Sequence, residues 1–123
     1  MNKRRLGSIY EARACEYIRS QGGMILERNF RCRQGEIDIV CQDGDTVAFV
    51  EVKYRRSRRF GYAEEAVDIR KQLTISQVAS FYLLRHGGGH GRYRFDVIAI
   101  DRDSGGTECI RWHKDAFRYI HRG

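Results

Sequence analysis

The 123-residue sequence contains no proline, and none of its apolar runs approaches the ~20 residues needed to cross a bilayer. No linker and no internal repeat divides it, so a single domain spanning 1–123 is expected. The opening Met-Asn-Lys-Arg-Arg-Leu-Gly-Ser lacks the apolar core of a secretory signal. The expected address is therefore cytoplasmic, with no membrane partner. Cys15, Cys32, Cys41 and Cys109 form no Cys-x-x-Cys pair, which excludes common zinc spacings and predicts buried or reduced thiols. His86 and His90 flank a glycine run, and His113 and His121 lie apart near the C-terminus, so no helical pair of histidines can grip a metal. The run Gly87-Gly88-Gly89-His90-Gly91 lacks the Lys-Ser/Thr that completes a phosphate loop, which argues against a nucleotide cradle. Acidic residues are in deficit, 16 against 23 Lys and Arg, for a formal charge of +7. A small basic domain attracts polyanions, of which nucleic acid is the commonest inside cells, although solubility alone also accounts for such a charge.

What is present reads as a soluble α/β chain. Tyr10, Ala14, Tyr17 and Ile18 recur at helical spacing and predict a helix over 3–21, closed by Gln21-Gly22-Gly23. Glu11 falls about 20° around that helix from Ile18, at the border of the apolar stripe, and Gly7 one turn earlier leaves space beside it. Residues 24–31 read as a strand. A second helix is expected over 63–86, with Ala66, Ile69, Leu73, Val78, Phe81 and Leu84 docking on a sheet and Lys71 and Gln72 on its polar side. There Lys71 and Gln72 either reach a phosphate or a metal-bound water, or simply solvate the helix. Strands are expected over 92–101 and 107–113, and a short helix over 115–120. The sum is a mixed five-stranded sheet flanked by helices.

The chain is organised around Gly35 to Lys53. Gly-Glu-Ile-Asp-Ile-Val, an Asp43-Gly44-Asp45 turn and Val-Ala-Phe-Val-Glu-Val-Lys predict a tight hairpin. Strict alternation puts Glu36, Asp38 and Val40 on one face and Ile37, Ile39 and Cys41 on the other. On the second strand it groups Val47, Phe49, Glu51 and Lys53 against Ala48, Val50 and Val52. Asp38 and Glu51 thus stand in apolar company. If they share a face they come close, and two close carboxylates need a cation or a proton between them. Lys53 supplies one positive charge and a divalent metal the rest; a salt-bridged exposed hairpin is the plainer reading. Directly after Lys53 come Tyr54, Arg55, Arg56, Ser57, Arg58, Arg59, Phe60, Gly61 and Tyr62, four arginines bracketed by aromatic rings. That mixture suits phosphate contacts with base or sugar stacking, or a solvated basic loop.

The set Gly7-x-x-x-Glu11, Asn29-x-Arg31, Gly35-Glu36-Ile37-Asp38-Ile39, Phe49-Val50-Glu51-Val52-Lys53-x-Arg55 and Arg94-Phe95-Asp96-Val97 resembles the bacterial YraN-like family over nearly the whole chain. That family belongs to the restriction-endonuclease-like fold, the PD-(D/E)XK nuclease superfamily, and is similar to archaeal Holliday-junction resolvases. Its members usually carry a proline after the Phe-Gly of the basic loop, where this chain has Tyr62. The resemblance implies a restriction-endonuclease-like core and a metal-dependent phosphodiesterase acting on DNA, with branched or structured DNA one candidate substrate and RNA left open. It implies that Asp38 and Glu51, with the Val52 carbonyl, hold Mg²⁺ or Mn²⁺ and that Glu11 completes the site. Lys53 is implied to orient or activate the attacking water. Arg55, Arg56, Arg58, Arg59, Tyr62 and Lys71 are the candidate nucleic-acid contacts, and the resolvase analogy implies a two-fold homodimer. Two rival readings stand beside it: a nucleic-acid-binding module that cuts little, and a structural protein whose acidic cluster only supports the fold.

Overall fold

The computed structural model describes residues 3–55, 67–86, 91–103 and 105–121. Among them a five-stranded sheet forms the centre: β1 (Met24–Cys32), β2 (Gly35–Asp43), β3 (Thr46–Arg55), β4 (Arg92–Arg102) and β5 (Glu108–Phe117), side by side in chain order. All neighbours are antiparallel except β3 and β4, which run parallel and are connected through α2 (Ile69–Arg85). A parallel pair requires such a crossover. Helix α1 (Lys3–Ser20) precedes the sheet. The two helices cover opposite faces, a mixed α/β arrangement consistent with a restriction-endonuclease-like core.

Each face has its own core. Tyr10, Ala14, Cys15 and Ile18 of α1 pack on Ile39, Cys41, Ala48, Val50, Ile98 and Ile100. Ile75, Val78, Ala79 and Tyr82 of α2 pack on Phe30, Ile37, Val40, Phe49, Phe95 and Val97. Of the expected α1 stripe, Tyr17 is only partly buried. Helix α1 ends where the Gly23 N–H bonds the Ile18 carbonyl at 2.9 Å, with Gly22 in the left-handed region at φ 91°. At the other face Gly35 lets α2 close on the β1–β2 turn, since a Cβ there would come within 2.6 Å of Thr74 Cγ2.

Four expectations need correction. Of the α2 residues expected to dock on the sheet, Ile69 and Leu84 are 68% and 81% exposed, because the helix turns Ile75, Val78, Ala79 and Tyr82 to the core instead. The helix expected from 63 begins at Ile69, because Asp68 is its N-cap and accepts a bond from the Lys71 N–H at 2.8 Å; residues 63–66 lie outside the described ones. The terminal helix expected over 115–120 is absent. Strand β5 continues to Phe117, stacked on Phe95 at 5.2 Å, and the tail beyond is tied to α2 by Ile120 N–H to Ser76 Oγ (3.0 Å) and Tyr119 to Ser80 (2.8 Å). Strict alternation along β2 also fails. Ile37 joins Val40 in the α2-side core, whereas Ile39 and Cys41 join the α1-side core, so side-chain parity flips at Asp38.

Candidate active site

The flip at Asp38 coincides with a parting of strands. Strands β2 and β3 pair from the two-residue turn at Gly44-Asp45 down to Ile39 and Val50, and the described ladder stops there. One further step would set Asp38 opposite Glu51. Instead the Asp38 carboxylate occupies the fork, its Oδ2 accepting a bond from the Val52 N–H at 2.9 Å. Strand β3 stays anchored on its other side, paired with β4 through Arg55 and Asp101. A side-chain carboxylate has replaced a backbone acceptor, which satisfies the orphaned N–H of Val52 and aims a charge into the gap.

A cavity of about 300 Å³ opens at this fork, lined by Leu6, Gly7, Tyr10 and Glu11 of α1 and by Asp38, Glu51, Val52 and Tyr54 of the sheet. Gly7 leaves its mouth open, since a Cβ there would meet nothing within 4 Å. Tyr10 and Tyr54 stack at 4.0 Å between ring centres to form one wall. Three carboxylates therefore border one cavity. Glu51 is 6% exposed, and burial followed by the nearby Asp38 charge pushes its carboxyl up to about 8. Lys71 and Lys53 act in the opposite sense, with Lys71 Nζ 3.9 Å from Glu51 Oε1. Glu11 is raised as well, by burial and then by Asp38, while Asn29 and Arg28 favour its charged form. Arg28 lies 4.0 Å from it.

The donors fit a hard divalent cation. All three are carboxylates, and Glu11 Oε1 and Glu51 Oε2 are buried with no hydrogen-bond partner. Among the described residues no three His, Cys, Asp or Glu side chains already encircle a point. Glu11 faces the Asp38–Glu51 pair from α1 and has to draw in to share an ion with it.

Of the residues singled out from the sequence, Glu11, Asp38, Glu51 and Val52 line this cavity, and Lys53 neighbours it along β3. Lys71 is turned to Glu51, so it serves the carboxylates from the α2 side. Gln72 does not point to the site, because its Nε2 bonds the Val67 carbonyl at 2.8 Å. Arg55 ends β3, and Arg56, Arg58, Arg59 and Tyr62 lie outside the described residues. Sequence reasoning gave no role to Asn29 and Arg28, the β1 neighbours of Glu11. A lone asparagine inside a strand-like run was the available signal, since Asn tolerates the left-handed backbone.

Residues 10–100 match the family described as "Uncharacterised protein family UPF0102". The chain is 46% identical to a UPF0102 protein of Caldicellulosiruptor saccharolyticus over 100 residues, covering 81% of this chain and 85% of that one. It is 45% identical to one from Syntrophus aciditrophicus over 117 residues, covering 95% and 91%. A third relative, from Pseudomonas putida, is 43% identical over 115 residues, covering 92% and 93%. With the family match spanning most of the sheet and both helices, and relatives aligned nearly end to end, the chain belongs to the UPF0102 family.

Proposed function

We propose that this protein is a metal-dependent nuclease that hydrolyses phosphodiester bonds in DNA, with branched or structured DNA among the candidate substrates. The observation that carries the reading is the fork itself. Two carboxylates are held side by side at the gap and a third faces them, and Glu11 Oε1 and Glu51 Oε2 are buried with no hydrogen-bond partner. Such a cluster serves stability poorly, because charges of one sign repel and burial penalises each of them.

Asp38, Glu51 and Glu11 are the residues that would hold Mg²⁺ or Mn²⁺, with the Val52 carbonyl beside them. When bound, the ion supplies polarisation of the phosphoryl oxygen and acidification of water. The chain's own residues do the rest. Asp38 is fixed by the Val52 N–H, so its position does not depend on the ion. Lys53 follows on the same strand and is placed to orient the attacking water or to exchange a proton with it. Lys71 balances Glu51 and, once released, offers a cation to a phosphate oxygen. Arg55, Arg56, Arg58, Arg59 and Tyr62, which succeed Lys53 in the sequence, are the candidates for phosphate contacts and stacking, and a two-fold homodimer would present two such sites to a branched substrate.

The test is cleavage of single-stranded, duplex, flap and four-way DNA with Mg²⁺ and Mn²⁺, beside Asp38→Ala and Lys53→Ala. Wild type should cut at least one substrate, and each variant should lose about 10²- to 10⁴-fold in rate while still binding DNA. Equal trace activity in all three proteins assigns that activity to a contaminant. In that case the fold serves as a nucleic-acid-binding module.

A further inference from the structure

Beside the carboxylates lies a backbone irregularity built on one exposed residue. Asn29 has φ 53°, in the left-handed region that non-glycine residues use sparingly and that Asn and Asp tolerate best. It sits at the single step where the β1–β2 ladder is interrupted near the site: Arg28 pairs with Ile39 and Phe30 with Ile37, while Asn29 and Asp38, which face each other between them, do not pair. The same step is where parity flips, since Phe30 and Ile37 enter the α2-side core and Ile39 the α1-side core. Both strands therefore turn over together at Asn29 and Asp38, which frees the Asp38 carboxylate to enter the fork and reach the Val52 N–H. On the other side β1 runs beside Glu11: Arg28 lies 4.0 Å from its carboxylate, the adjacent Asn29 favours its charged form, and its Oε1 is buried without a hydrogen-bond partner.

We propose that Asn29 is a positioning residue for the acidic site: its left-handed backbone turns Asp38 into the fork, and its side-chain amide steadies Glu11 with one oxygen facing the cavity. The inference rests on reading the three carboxylates as a divalent-cation site. It separates two jobs within one residue, and substitutions can divide them. Glycine keeps the backbone and removes the amide. Aspartate keeps the backbone preference and replaces the donor with an oxygen that repels Glu11. Alanine removes both.

The experiment measures Mn²⁺ affinity by calorimetry and thermal stability for wild type, Asn29→Gly, Asn29→Asp and Asn29→Ala. It also records ¹⁵N–¹H spectra of metal-free wild type and Glu11→Gln. The Asn29 side-chain amide signals should move in Glu11→Gln while those of Gln21, at the end of α1, stay in place. Asn29→Gly should keep the wild-type melting temperature to within a few degrees and lose about 10-fold in Mn²⁺ affinity, the lower end of what the loss of a ligand's supporting partner costs. Asn29→Asp should lose at least as much, and Asn29→Ala should lose stability as well. Wild-type Mn²⁺ affinity in both Asn29→Gly and Asn29→Asp overturns the proposal, as does an Asn29 amide indifferent to Glu11→Gln. If wild type takes up no Mn²⁺, the nuclease reading fails first, and the amide spectra alone then decide whether Asn29 holds Glu11.

Discussion

At the scale of single residues, Glu51 is the group whose ionisation should be visible in the stability of the whole chain. Its carboxyl is raised from 4.5 to about 8 by burial and by the Asp38 charge. A carboxyl with a higher value in the folded state takes up a proton on folding, so its contribution is fully present below about 4.5 and is lost as pH climbs through about 8. Within that window each step of one in pH removes on the order of 1.4 kcal/mol. Metal-free protein should therefore lose several kcal/mol between pH 5 and pH 8.5. Urea denaturation at those two pH values reads it directly. Glu51→Gln, which keeps the shape and cannot ionise, should flatten the dependence and be the more stable protein at pH 8.5. A pH dependence identical in the two proteins would mean that Glu51 is not the titrating group. Mn²⁺ bound as proposed would displace the same proton, so its affinity should rise with pH up to about 8 and then level off. Measured proton release on Mn²⁺ binding, falling to nothing above that range, checks the sign.

At the scale of elements, the positioning of Lys71 depends on where α2 begins. Asp68 caps the helix and bonds the Lys71 N–H itself, so one side chain sets both the first turn and the base of the residue that meets Glu51. Asp68→Ala should cost ~1 kcal/mol of stability by urea denaturation, as the loss of a helix cap does. It should also weaken the Lys71–Glu51 contact, so that Glu51 titrates higher than in wild type because less positive charge opposes its burial. Unchanged stability would show that another group caps the turn. This element also marks the limit of what was legible in the sequence. The hairpin, both helices and the succession of elements along the chain followed from alternation, the Asp-Gly turn and 3.6-residue periodicity. The convergence of Asp38 and Glu51 on one gap could be anticipated from the hairpin alone, because their register follows from the length of the turn. Parity along β2 could not, since it depends on the left-handed Asn29 in the neighbouring strand. The start of α2 was misread because apolar periodicity continues upstream of Asp68, whereas capping decides the boundary. The final helix was misread because Asp115, at φ 56°, sends its N–H to the buried Asp96, and that long-range bond keeps β5 extended beyond what local preference indicates.

At the scale of the whole molecule, the charge of +7 coexists with an acidic cavity, and the proposed nuclease reading gives each a different part of one nucleic acid to hold. A polyanion drawn by a general positive field needs no particular arginines, whereas one held across the fork needs those that follow β3. The comparison is made by neutralising Arg55, Arg56, Arg58 and Arg59 to glutamine in one variant, and Arg19, Arg85 and Arg92 in another. The second set lies at the last turns of α1 and α2 and at the start of β4, where Arg92 pairs with Thr46 at the hairpin end remote from Glu51. Each phosphate contact contributes ~0.9 to the slope of log affinity against log salt for duplex DNA. Loss of the β3-proximal set should lower that slope by ~0.9 for every arginine that touches a phosphate, and weaken binding most at low salt. The remote set should change the slope little, because charges farther than about 8–10 Å from the ligand are screened at physiological salt. Equal changes per charge in the two variants would leave only a diffuse electrostatic attraction. A slope that falls only for the first set places the nucleic acid across the fork, with its phosphates against the arginines and its scissile bond over the carboxylates.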